Sequence, residues 1–264
     1  MVLEIRNAYL TFKGISALSN VNLSVEKGTL HSVIGPNGAG KTSLMNMISG
    51  VYKPTNGQII YKGQNLSAKK PYEIAELGIG RVFQNVELFD NLTVLDNIMI
   101  GRHLKTNYGL FSAGLHFGKA RKEEYQQREK CEEIIDFLEM EEIRKEKVGI
   151  LPFGLRKKVE LARALAMEPE LLLLDEPVAG MNNEEKDDLI RYVMDIYEET
   201  DITILLIEHD MPIVMNISDK VTVLNFGEVI AEGKPEEVQN NPEVIKAYLG
   251  SEEQNDQKLQ KVGY

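Results

Sequence analysis

Apolar and polar positions alternate through residues 2–34, with breaks at Lys13-Gly14 and Lys27-Gly28. A period of two between turn residues predicts short β-strands with one buried face. Leu30 to Ile34 reads as a buried strand, and Lys41 to Ser49 as a helix stopped by Gly50. Gln58 to Tyr61 reads as a further strand after the turn Pro54-Thr55-Asn56-Gly57. The period then lengthens. Thr93 to Ile100 reads as a helix with Thr93 and Asp96 in a capping pattern, and residues 104–118, rich in glycine and aromatics, read as a loop. Residues 119–140 predict an amphipathic helix around Ile134, Ile135 and Leu138, with its run of charges on a solvated face.

From Glu170 the pattern is strand, helix, strand. Leu171 to Leu174 and, but for Thr203, Ile202 to Ile207 are continuous apolar runs, as expected of parallel strands covered on both faces. Asn183 to Glu199 lies between them as a helix with Leu189, Ile190, Val193 and Ile196 on one face. Met211 to Ile217 reads as a short helix. Val221 to Leu224 and Glu228 to Ala231 read as a hairpin turned by Asn225-Phe226-Gly227. Pro242 to Leu249 closes the pattern as a helix with proline in its first turn, and residues 251–264 read as a polar, mobile tail. The chain shows no internal repeats.

Composition narrows the possibilities. A chain of 264 residues, 43% apolar and 27% charged, is long enough to bury a sizeable core. Its formal net charge of −11 disfavours a non-specific nucleic-acid binder, which needs a cationic face. The single cysteine, Cys131, cannot form an internal disulfide, and its charged helical setting reads as an inert thiol. The start, Met1 to Arg6, lacks the apolar core of a signal peptide, and no apolar run approaches the ~20 residues that span a bilayer. The expectation is a soluble protein, or one held at a membrane by a partner.

The candidate chemistry begins at Gly35-Pro36-Asn37-Gly38-Ala39-Gly40-Lys41-Thr42, which fits the phosphate-cradling pattern G-x-x-x-x-G-K-[ST]. Its glycines let main-chain N–H groups turn inward at the start of a helix, whose dipole favours anions. Lys41 is suited to reach the β- and γ-phosphates, and Thr42 to offer its hydroxyl to Mg²⁺. Leu171 to Leu174 then ends in Asp175-Glu176. Carboxylates at that strand edge suit metal holding, through water, by Asp175 and orientation or deprotonation of a water by Glu176. Ile204 to Ile207 ends likewise in Glu208-His209, where His209 could hydrogen-bond a γ-phosphate or the attacking water. Gln84 follows another short apolar segment and alone means nothing. His31, His103 and His116 stand in no pattern, and the four histidines and one cysteine make no zinc site. Leu151-Pro152-Phe153-Gly154-Leu155 opens a helix read as Arg156 to Met167, giving Gly154 a second anion-binding helix end. One loop already wraps the phosphates. The spare end therefore suggests a head-to-tail dimer with nucleotide between its subunits.

In this order the motifs resemble the ATP-binding subunits of ABC transporters over about residues 3–250. The resemblance implies an α/β fold: a P-loop NTPase (RecA-like) core with an N-terminal antiparallel β subdomain and an inserted α-helical signature subdomain. It implies one ATPase domain over 1–250, with the β and RecA-like parts at about 1–86 and 168–250 and the helical part at about 87–167. It further implies that Phe12 stacks on adenine, that Ser43 contacts the α-phosphate side, and that Gln84 reaches Mg²⁺ or the water and senses the membrane partner. Ala179-Gly180-Met181-Asn182 would be a dimer-contact loop, with Asn182 where many members carry Asp. The signature departs from Leu-Ser-Gly-Gly-Gln: Pro152 replaces the serine and Leu155 the glutamine, leaving the grip to the Gly154 N–H and the helix dipole.

Within the family the chain is most similar to the LivG type, the ATPases of branched-chain amino acid importers. The cues are the insert at 104–130 with Gly109-Leu110-Phe111, the signature Leu151 to Gly154, Ile207 to Met211, and the ending Asn241 to Gly250. That likeness implies ATP and Mg²⁺ as ligands and a homologous or identical second ATPase subunit. It also implies two permease subunits, an indirect extracytoplasmic solute-binding protein, no nucleic acid, and a peripheral place on the cytoplasmic face of the membrane. Urea or amide cargo, lipopolysaccharide export, a non-transport ABC ATPase and a regulatory nucleotide-binding module remain open at this stage.

Overall fold

The computed structural model describes residues 1–105 and 117–248. β1 (Leu3–Phe12) and β2 (Ile15–Val25) pair antiparallel, and β3 (Leu30–Ile34) leaves them for a second sheet. After α1 (Lys41–Ile48), β4 (Asn56–Tyr61) returns beside β1, and β5 (Gln64–Asn65) completes a four-stranded sheet in the order β2-β1-β4-β5. α2 (Pro71–Glu76) and β6 (Ile79–Val82) follow. Three helices come next: α3 (Val94–Gly101), α4 (Phe117–Phe137) and α5 (Phe153–Leu165). The rest of the chain is β7 (Leu171–Asp175), α6 (Asn183–Glu199), β8 (Thr203–Ile207), α7 (Met211–Ile217), β9 (Lys220–Asn225), β10 (Glu228–Gly233) and α8 (Pro235–Gln239). Residues 242–248 are again helical.

The second sheet has the order β10-β9-β3-β8-β7-β6, parallel except for β10. Its unbroken apolar runs are explained by two covers. Leu171, Leu173, Leu205 and Ile207 pack toward α1 and the antiparallel sheet. Leu172, Leu174, Ile204 and Leu206 pack with buried residues of α3, α4, α5 and α6. One strand therefore feeds two cores, and a slip of one residue would exchange them. Strand ends are also aligned: Val82 faces Leu174, Leu174 faces Leu206, and Leu206 faces Ser32. Loops leaving β3, β6, β7 and β8 thus emerge along one carboxyl edge, where open α/β sheets gather ligands.

Most expected elements are present, some with shifted ends. The helix at 183–199 and that at 211–217 match their expected spans. The expected Thr93 cap is made, with the Thr93 hydroxyl accepting from Asp96 N at 3.1 Å. The signature helix corrects its expected start: it begins at Phe153 rather than Arg156, because Pro152 takes the cap position with φ of −53°, suited to a helix entry. α2, β6 and α8 are short elements that residue periodicity did not announce. The expected loop at 104–118, including Gly109-Leu110-Phe111, lies mostly outside the described residues, as do Leu249, Gly250 and the tail at 251–264. Among the described residues no helix is long and apolar enough to cross a membrane.

Candidate nucleotide site

The loop after β3 packs so closely at two of its glycines, Gly35 and Gly40, that no side chain fits there. A Cβ on Gly35 would lie 2.1 Å from the carbonyl oxygen of Leu224. Gly40 has φ of +104°, and a Cβ there would lie 2.8 Å from Ala17 O. The loop delivers α1 with Lys41 as its first residue. The Lys41 ammonium is nearly buried and folds back to donate to Gly35 O at 2.7 Å and Pro36 O at 3.2 Å. Burial lowers its pKa, opposed by the charges of Glu176, Asp175 and Glu208. A nearly buried cation at the start of a helix suits an anionic ligand, which would take the Lys41 ammonium from the two carbonyls and meet the first-turn N–H groups.

A cleft of about 430 Å³ opens over this loop. Asn37 to Ser43 line it, together with Gln84 from the segment after β6 and Glu176 from the end of β7. Phosphate loop and acid therefore share one space. Glu176 sits at φ of +48°, uncommon for a side chain of its size, and its N–H donates to Ile207 O at 2.9 Å. Its Oε2 accepts from Gln84 Nε2 at 2.8 Å and lies 3.8 Å from His209 Nδ1. Gln84, Glu176 and His209 thus converge although they are far apart in the chain. His209 itself is more than half exposed.

Asp175 ends β7 in the core, 1% exposed. Arg81 Nη2 donates to its Oδ2 at 2.8 Å, while its Oδ1 has no hydrogen-bond partner among the described residues. Burial raises the Asp175 pKa and Arg81 opposes the rise. An unspent carboxylate oxygen is the hard donor that Mg²⁺ takes. No group of three or more His, Cys, Asp or Glu side chains able to cage a metal is present among the described residues. One carboxylate without such a cage suits Mg²⁺, which completes its shell with substrate phosphates and water.

Four positioning groups had no clear sequence signal. Arg81 also donates to Asn46 Oδ1 at 2.8 Å and Ser49 Oγ at 2.7 Å, tying β7 and β6 to α1. A charge inside the apolar strand Ile79–Val82 was the available hint. Lys157 and Glu160, both fully buried on α5, lie 3.5 Å apart. Lys157 Nζ donates to Phe83 O at 2.8 Å and Gln84 O at 2.6 Å, so the signature helix holds the glutamine segment. Burial lowers the Lys157 pKa and raises that of Glu160, each opposed by the partner's charge. Glu208 is buried, and its Oε2 accepts from His209 N at 2.9 Å, fixing the backbone that carries His209.

The remaining expected residues lie elsewhere. Phe12 ends β1 half-exposed, packs edge-on against Tyr52 at 4.9 Å, and does not line the cleft. Gly154, in the first turn of α5, borders a separate small cleft with Lys158, Glu185 and Tyr192. A Cβ on Gly154 would lie 2.7 Å from Glu185 Oε1, so a carboxylate flanks the expected anion site. In the expected dimer-contact loop, Gly180 has φ of +81° and lies beside the Phe153 ring, while Asn182 caps α6.

Comparison with known proteins gives a consistent set. A family model for ABC transporters matches residues 18–179, and a model described as branched-chain amino acid ATP-binding cassette transporter matches residues 228–254. The high-affinity branched-chain amino acid transport ATP-binding protein BraF of Pseudomonas aeruginosa is 41% identical over 252 residues, covering 94% of this chain and 98% of BraF. LivG of Escherichia coli, of the same description, is 38% identical over 249 residues, covering 94% of this chain and 98% of LivG. Among solved structures, an ATP-binding cassette of an ABC transporter in its ADP conformation superposes with a TM-score of 0.81 at 33% identity, over 94% of this chain and 98% of that one. A dimeric bacterial ABC transporter cassette superposes with a TM-score of 0.75 at 27% identity, over 88% of this chain and 98% of that one.

Proposed function

The chain belongs to the ABC transporter family of ATP-binding proteins, and from that premise we propose that it is the ATP-hydrolysing subunit of an importer for branched-chain amino acids. The observation that carries the reading is the shared cleft, in which a phosphate loop at the start of α1 faces Glu176.

In this proposal the N–H groups of Gly38 to Ser43 and the Lys41 ammonium bind the polyphosphate of ATP, with Ser43 toward the α-phosphate. Gly35, Pro36, Asn37 and Ala39 shape the loop, and Phe12, braced by Tyr52, stands at the edge of the antiparallel sheet as the expected adenine partner. Thr42, Asp175 and Gln84 would hold Mg²⁺, Asp175 partly through water. When bound, Mg²⁺ neutralises charge on the β- and γ-phosphate oxygens. Glu176 takes the proton of the attacking water. Gln84 orients the Glu176 carboxylate through its Nε2–H, and His209 meets charge developing on the γ-phosphoryl group.

A head-to-tail pairing with a second, homologous or identical ATPase subunit supplies Gly154 in trans. The first-turn N–H groups of α5 have no partner within the helix, which supports that role. The 87–167 part would then move as the helical subdomain against the 1–86 and 168–250 core. Closure would pull on two permease subunits at the cytoplasmic membrane face, fed by an extracytoplasmic binding protein. The test is calorimetry of MgATP on the purified chain, followed by uptake of labelled leucine by the reconstituted importer. Absence of nucleotide binding overturns the ATPase reading. Binding and turnover without leucine uptake overturns only the cargo.

A further inference from the structure

The phosphate loop accounts for the anionic part of a nucleotide, and Phe12, the expected adenine partner, stands outside the residues that line the cleft. The cleft has a less polar wall made by Ala17 of β2 and Phe226 of the β9–β10 turn. Among the described residues Phe226 is the only aromatic side chain lining the cleft. It is 78% exposed and held at φ of +46°, a region that bulky residues rarely occupy. An exposed ring in a disfavoured backbone state, on the rim of a ligand cleft, calls for a functional reading.

The turn is also pinned to the site. Gly227 N–H donates to Ala39 O at 2.9 Å, inside the phosphate loop, and Ser19 N–H donates to Gly227 O at 2.8 Å. A Cβ on Gly227 would lie 2.7 Å from Ala17 O, so the turn packs directly on β2. Phe226 is thereby carried at a set offset from the phosphate cradle. Such preorganisation spares ordering entropy on binding.

We propose that Phe226 is a second nucleobase-contacting residue of this site, adding its ring to the purine contact expected of Phe12; the inference rests on the ATP reading above. Aromatic–base contact is tolerant of base identity and blind to phosphate. Phe226 should therefore strengthen binding of any purine nucleoside triphosphate and leave inorganic tripolyphosphate untouched.

The full chain contains no tryptophan, so Phe226→Trp introduces a lone indole at the rim. Its emission should change on titration with MgATP and stay constant with magnesium tripolyphosphate. Phe226→Asn, a residue that tolerates the left-handed backbone, should raise the Kd for MgATP roughly tenfold, within the range for one aromatic–base contact. Its Kd for tripolyphosphate should match the parent's. An ATP Kd within twofold of the parent's, or equal weakening toward ATP and tripolyphosphate, overturns the proposal while the ATP reading stands. A parent chain that binds neither compound removes both.

Discussion

The Lys157 ammonium donates to the main-chain carbonyl of Gln84 at 2.6 Å, joining the signature helix to the segment that reaches the cleft. Among the described residues its ion-pair partner is the equally buried Glu160, 3.5 Å away. Lys157→Met strands that acid in the core and should cost about 3–5 kcal/mol in thermal or denaturant melts. Lys157→Met with Glu160→Leu should recover most of the stability. ATP turnover should stay depressed in the double variant, since Gln84 has lost its anchor. A double variant with parental turnover would show that the anchor is structural only.

Glu176 sits in the left-handed region with its Oε2 accepting from Gln84 Nε2 at 2.8 Å. Glu176→Gln preserves size and backbone but removes the proposed base. ATP affinity should stay near the parent's while steady-state hydrolysis falls about 10²–10⁴-fold, the usual worth of a positioned general base. Gel filtration with MgATP should then show a persistent dimer. Undiminished turnover would shift the base role away from Glu176.

Arg81 shares a buried ion pair with Asp175 at 2.8 Å and opposes the burial that raises the Asp175 pKa. Arg81→Met removes that opposition, so the carboxyl should protonate at higher pH. The metal role proposed for Asp175 needs the carboxylate, so activity should fail on the acid side. The acid limb of kcat/KM against pH should therefore move to higher pH in the variant, with the alkaline limb in place. An unmoved acid limb would separate Asp175 ionisation from activity.

How far the residues spoke in advance follows from the range of the forces involved. Leu171 to Glu176 was legible because an unbroken apolar run and its abrupt acidic end are local facts. The hairpin turned by Phe226 was legible as a hairpin, but its place beside the phosphate loop depends on Gly227 meeting Ala39, some 190 positions earlier in the chain. Arg81 carried no assignment from the sequence, and only the sheet sets it against Asp175. Lys157 carried none either, since i,i+3 spacing to Glu160 suits a solvated pair as well as a buried one. Pairings across the sheet order β3-β8-β7-β6 decide these roles, and no window of neighbouring residues contains them.

His31, assigned no role from sequence, is 1% exposed in β3 with Nε2 2.8 Å from Thr222 Oγ1. Burial lowers its pKa from 6.5 to about 4; the charge of Glu232 opposes the drop and that of Lys220 adds to it. A base whose folded pKa lies below its unfolded value binds fewer protons when folded. Its contribution is therefore intact above the unfolded pKa and lost as pH falls from 6.5 toward 4. Between pH 7 and pH 5 this one residue should account for about 2 kcal/mol of lost stability, from the linkage of one shifted group. His31→Gln removes the titration while keeping a polar side chain for Thr222. Urea melts at both pH values should show the parent weakening with acid and the variant weakening by about 2 kcal/mol less. Equal acid sensitivity in the two proteins would mean that β3 opens before His31 takes up its proton.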